Sequence, residues 1–165
     1  MAIVTRDYNY ADVYVSLLKY LKELALRISA KYDLPPISVM NLDSVVDVAK
    51  LPANDIIFIS DWTLSVDGHS YGDYHELLIG FSVVNDLNFT RLETMYLNEL
   101  MFDISKRKPF RTTIDIFKED GTSVVGTLLF SDDYETMPIT RNDSRSFKTV
   151  SVTLLSPQRL TEKGG

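Results

Sequence analysis

The spacing of apolar residues along this chain switches between three or four and two, and those switches limit what it can fold into. Over residues 9–32 the apolar positions Val13, Leu17, Leu21, Leu24 and Ile28 advance by three or four, while Asp12, Ser16, Lys19, Glu23 and Arg27 fall on the other side. This spacing predicts an amphipathic helix of about six turns. Asn9 is placed to cap it, with Asp12 three residues on, and Leu34-Pro35-Pro36 stops it. "ISVM" (37–40) reads as a short strand, and "DSVVDVAK" (43–50) as a short helix with Ser44 and Asp47 spaced as an acidic capping box.

From residue 55 onward period two takes over. Ile56, Phe58, Trp62, Leu64 and Val66 are expected on one face of a strand, and Leu77, Ile79, Phe81 and Val83 on one face of the next. "NDLNFTRLETMYLNELMFDI" (85–104) returns to helical spacing, with Asn88 as cap and Leu87 and Leu92 as a hydrophobic staple. "FRTTIDIFKEDGTSVVGTLLF" (110–130) predicts a second hairpin turning at Asp120-Gly121. "FKTVSVTLL" (147–155) alternates strictly, with Val150, Val152 and Leu154 on one face. The order predicts an α+β fold: a mainly antiparallel sheet of two hairpins plus further strands, with helices packed on one face. A length of 165 residues suits a single domain over 1–160, with 161–165 a frayed tail.

Both histidines lie in "VDGHSYGDYHE" (66–76), among Asp67, Asp73 and Glu76. Pleat parity tests whether they share a metal. A two-residue turn at Gly72-Asp73 would pair Val66 with Ile79, Leu64 with Phe81 and Trp62 with Val83. His69 would then face Glu76 and His75 would face Ser70, on opposite faces of the ribbon. The spacing also lacks H-E-x-x-H and the iron facial triad. The segment therefore reads as a hairpin turn, and no metal or other cofactor is expected.

Other chemistry is sparse. The chain has no cysteine, which removes thiol nucleophiles, cysteine zinc sites and disulfides and suits an intracellular site of synthesis. No G-x-S-x-G, dinucleotide or phosphate-loop motif occurs among the seven glycines. The pairs Asp132-Asp133 and Glu119-Asp120 fall in predicted loops, where solvated carboxylates are the default; a hydrolase would draw on Asp132, Asp133 and Glu135. A net charge of −6 argues against a general nucleic-acid-binding surface. The basic cluster "SKRKPFR" (105–111) follows a predicted helix, whose negative end favours cations. No apolar run is long enough for a membrane span, and the first residues lack the order of a secretory signal.

Binding signals are stronger. In the second helix Phe89, Leu92, Tyr96, Leu97, Leu100 and Ile104 form the expected core stripe. Met95 and Phe102 lie opposite it beside Arg91 and Asn98, a composition that fits an interface centre. The segment "SDDYETMPITRNDSRSF" (131–147) reads as a long polar loop with acids Asp132 and Asp133 at one end, Arg141 and Arg145 at the other, and Tyr134 between. Such a charge-split arm could reach a neighbouring subunit. Strand edges left open by this fold are either blunted or paired with another chain, and in a ring assembly the neighbouring subunit can cover them.

In the order of its elements, most clearly in "HELLIGFSVVNDLNFTRLETMYLNELMFDI" followed by a hairpin, a polar segment and "RSFKTVSVTLLS", the chain resembles the tail-terminator proteins of long-tailed bacteriophages, with the related head–tail joining and neck proteins. The resemblance implies a non-enzymatic virion protein, made in the host cytoplasm. It would form a ring of identical subunits, usually six, that caps the tail tube, stops its polymerisation and meets the neck connector. DNA would pass through the lumen without sequence-specific binding, and an acidic lumen would repel phosphates. The alternative from the residues themselves is a small intracellular enzyme or ligand-binding domain with a site near His69, Asp73 and His75.

Overall fold

The computed structural model describes residues 2–5, 10–41, 51–66, 72–84, 91–105, 113–118, 122–142, 145–157 and 159–162. The fold is α+β. Its strands are β1 (Ala2–Thr5), β2 (Ser38–Asn41), β3 (Ile56–Val66), β4 (Gly72–Val84), β5 (Thr113–Phe117), β6 (Val124–Thr136), β7 (Thr140–Asn142), β8 (Arg145–Pro157) and β9 (Arg159–Glu162). Helix α1 spans Tyr10–Tyr32; a π-helical segment, Arg91–Leu97, runs into α2, Asn98–Ser105. Among the described residues the main sheet has seven strands in the order β2-β3-β4-β8-β6-β5, with β7 beside β8. Every pairing in it is antiparallel except β2 with β3. Strands β1 and β9 form a separate two-stranded ribbon. No described helix is long and apolar enough to cross a membrane.

Both helices pack on one face of the sheet. Val13, Leu17, Leu21, Leu24 and Ile28 of α1 meet Leu77, Ile79, Phe81 and Val83 of β4 and Val150, Val152 and Leu154 of β8 in one core, joined by Leu92, Tyr96, Leu100 and Ile104. These residues follow the predicted periodicities closely. Helix α1 ends in a Schellman motif: Asp33 takes a left-handed φ of 52°, the Leu34 N–H reaches the Ser29 carbonyl at 3.0 Å, and two prolines follow. The proposed caps Asn9 and Asn88, the helix 43–50, Leu87, Phe89, the 105–111 cluster beyond Ser105 and the turn Asp120-Gly121 lie outside the described residues. The register beside that turn, with Phe117 opposite Val124, is the one a two-residue turn there requires.

Several expectations need correction. The first hairpin does not turn at Gly72-Asp73; both belong to β4, and Asp73 opposes Val66. Trp62 opposes Leu77, His75 opposes Leu64 and Glu76 opposes Thr63, while His69 lies outside the described residues. A bulge at Ser60, between the pairs Ile59/Ile79 and Asp61/Leu78, inverts the parity of β3. Before the bulge Ile57 and Ile59 face the helices, and after it Trp62 does. Phe58, expected beside Trp62, packs on the other face over Gly80 and edge-on to Phe147, ring centroids 6.3 Å apart.

Two polar residues assigned to the solvent side of α1, Asp12 and Ser16, are buried. The Ser16 hydroxyl donates to the Asp12 carbonyl at 2.7 Å and accepts the Phe117 N–H at 2.8 Å, and the Lys19 ammonium sits 3.6 Å from the centroid of the Phe117 ring. These contacts tie α1 to β5 at one edge of the sheet. The segment 131–147 is not a loop: β6 runs on to Thr136 and pairs Tyr134, Glu135 and Thr136 with Val152, Ser151 and Val150, and β7 and β8 take up most of the rest. Its polar residues are those of a sheet surface, so composition alone mistook a strand for a loop. Thr161 and Glu162, expected to fray, pair with Ile3 and Ala2.

Candidate assembly surfaces

The residues singled out in the sequence fall into two groups. One is consumed by the fold. Arg145 at the start of β8 is 6% exposed; it donates to the Asn54 carbonyl at 3.2 and 3.3 Å and to the Ser82 hydroxyl at 3.1 Å. Burial lowers its guanidinium from the usual value, opposed by the nearby charge of Asp55. Arg91 is held 3.1 Å from the Asp55 carboxylate and donates to the Val84 carbonyl at 2.8 Å. Asp55 also accepts the Tyr96 hydroxyl and, at 3.2 Å, the Val84 N–H. The two arginines thus clamp one end of the sheet through contacts within the chain. Met95, four residues after Arg91 on the same flank, packs against the core rather than away from it. Arg91 finds its partner at Asp55, just before β3 and 36 residues earlier in the chain, which local periodicity cannot register.

The other group is at the surface. Phe102 is 60% exposed on the outer side of α2, with Asn98 exposed one turn before it. Tyr134 on β6 and Arg141 on β7 are exposed. Asp132 and Asp133 fall in β6 where its register with β8 breaks between Phe130 and Tyr134, and their side chains lie outside the described set.

His75 is accounted for by packing. It is 1% exposed, its ring stacks on Trp62 at 6.0 Å, and Tyr14 stacks on Trp62 at 5.9 Å. The Trp62 indole N–H donates to His75 Nδ1 at 3.2 Å, which places the imidazole proton on Nε2. This three-ring stack links the start of α1 to β3 and β4. Among the described residues no group of three or more His, Asp or Glu could hold a metal ion.

A polar seam that the sequence reading missed joins α1 to α2. Asp103, 1% exposed, accepts the Tyr20 hydroxyl at 2.7 Å and Arg27 at 2.8 Å. Glu99, 4% exposed, meets Arg27 at 3.4 Å, Lys31, and the Tyr32 hydroxyl at 3.3 Å. Burial, then the charge and hydrogen bond of Asp103, hold the Tyr20 hydroxyl well above its ordinary value. The available signal was two acids four apart on a helix, facing two cations four apart on another.

The opposite flank of α1 is apolar. Lys22, Ala25, Leu26 and Ser29 of α1, with Leu34, Pro36, Ile37 and Val39, line a groove of about 410 Å³ beside β2. Leu26 is 72% exposed there. Compared with known proteins, the sequence matches no family model and no curated relative.

Proposed function

We propose that the protein is a non-enzymatic structural subunit of the tail–neck region of a long-tailed bacteriophage virion. It forms a ring of identical chains that caps the tail tube, stops its polymerisation and meets the neck connector. The observation that carries this reading is the placement of exposed apolar side chains on two opposite flanks of α1. Phe102 lies on the α2 flank and Leu26 on the β2 flank. Two different surfaces on opposite flanks suit a heterologous, head-to-tail contact, and such contacts close into rings when the rotation permits. The buried seam between α1 and α2 makes the body rigid enough to hold those flanks in fixed relation. The order of elements, which resembles that of tail terminators, and a net charge of −6, suited to a lumen that passes DNA without retaining it, agree with the reading.

Incubation of the purified protein with isolated tail tubes of the cognate phage, followed by negative-stain electron microscopy, tests the proposal. A ring on one end of each tube with further growth blocked is the expected result. Bare tubes that continue to grow would remove the capping role.

A further inference from the structure

His75 is a buried ionisable group that ring formation does not use. It is 1% exposed in the first half of β4, opposite Leu64 of β3 and Leu154 of β8. Its Nδ1 accepts the Trp62 indole N–H at 3.2 Å, and the two rings stack with 21° between their planes. Tyr14 stacks on Trp62 in turn, at 26°. Tyr14 stands four residues into α1, so the stack fastens the start of the helix to the β3–β4 pair.

An indole N–H can only donate, and here it donates to the one ring lone pair that a neutral imidazole offers. An imidazolium offers none, because both of its nitrogens carry protons. Protonation of His75 therefore removes the acceptor, turns two N–H groups towards each other and leaves a cation in a buried site. We propose that His75 is a proton-sensitive latch, which holds the start of α1 on the sheet at neutral pH and releases it in acid. This device needs no second chain, so it stands or falls separately from ring formation.

The charges on the surrounding elements do not alter the direction of the response. From Thr149 to Pro157, β8 carries no charged residue, and Asp61 of β3 is exposed opposite Leu78. Helix α1 brings Asp12, 4% exposed and two residues before Tyr14. On β4 itself Asp73 precedes His75 by two residues, and Glu76 is exposed opposite Thr63. A carboxylate within reach eases formation of the imidazolium, but it cannot restore a lone pair to Nδ1. The released imidazole binds the proton and the latched one does not. Latching is therefore complete above about pH 6.5, the ordinary histidine value, and falls by up to about tenfold for each pH unit below it.

Trp62 is the chain's only tryptophan and reports on the latch directly. Its fluorescence maximum should shift to the red between about pH 7 and 5, while the far-ultraviolet circular dichroism keeps its sheet signal. Over the same range the single indole N–H, followed by NMR hydrogen exchange, should lose protection by about tenfold or more. His75→Asn keeps an acceptor oxygen near the Nδ1 position without a titrating proton, so its emission should stay constant. His69→Asn, at the only other histidine, should behave as the parent chain does. Constant emission and protection in the parent across this range would overturn the latch, whether or not either variant folds. Loss of the entire dichroism signal at the same midpoint would also overturn it, since acid would then unfold the molecule rather than release one helix end. A transition that persists in His75→Asn and disappears in Asp12→Asn would assign the proton to the carboxylate and sink the idea as well.

Discussion

At the scale of single residues, three positions show how neighbours decide a residue's role. Gly80 stands directly opposite Phe58, and a Cβ added there would lie 2.1 Å from the Phe58 ring. Phe58 is 4% exposed and wedged against Phe147, so its ring has little room to move. Gly80→Ala should cost roughly 1–3 kcal/mol, as overpacking does. Phe58→Leu in the same chain should recover part of that loss, and a double-mutant cycle by urea unfolding measures the coupling. Arg145 is the second case. Its donors satisfy the Asn54 carbonyl and the Ser82 hydroxyl inside the sheet. Arg145→Glu should therefore destabilise the monomer by about 3 kcal/mol or more, because it buries an unpaired carboxylate beside Asp55. An unchanged urea midpoint with salt-dependent loss of assembly would instead return Arg145 to an interface. His75 is the third: a histidine that looks like a ligand in sequence is the end of an aromatic stack and a partner for Trp62.

At the scale of elements, the contact between α1 and α2 combines an apolar core side with a buried polar seam. Asp103 lies under Tyr20 and Arg27, and Glu99 under Arg27, Lys31 and Tyr32. Buried carboxylates of this kind are tolerated because each accepts more than one charge-assisted or hydroxyl hydrogen bond. The seam also predicts an alkaline limit. Tyr20 loses its proton at higher pH in the folded chain than in the unfolded one, since burial and Asp103 both oppose phenolate formation. Its contribution is complete below about pH 10, the ordinary tyrosine value, and falls as pH rises toward the folded value, because the unfolded state then holds fewer protons. Tyr20→Phe should show a shallower decline in stability between about pH 9.5 and 11 than the parent chain. Parallel slopes in urea titrations across that range would remove Tyr20 from the alkaline transition.

At the scale of the whole molecule, the outward surface is what assembly would use. Phe102 touches solvent over most of its area, so Phe102→Asp should leave stability within about 0.5 kcal/mol. On the assembly reading it should also abolish ring formation on tube ends by electron microscopy. Loss of the folded monomer in that variant would place Phe102 in the core. Capping that survives the substitution would take the α2 flank out of the assembly.

Much of the fold was legible because local periodicity reports burial wherever an element faces one core. The stripes of α1, β4 and β8 were read correctly from spacing alone, and so were the apolar positions Leu92, Tyr96, Leu100 and Ile104. Spacing alone therefore located these elements and the apolar stripe that each of them buries. It could not determine register, because Ser60 bulges out of β3 and the shift shows only once β4 is beside it. Nor could it tell a polar strand from a loop in 131–147, where pairing with β8 supplies the backbone hydrogen bonds that composition does not encode. The roles of Arg91, Arg145, Asp55, Glu99, Asp103 and Leu26 were likewise decided by tertiary structure. Each depends on a group far away in sequence, and a charge or an exposed leucine carries no local mark of the partner or groove it will meet.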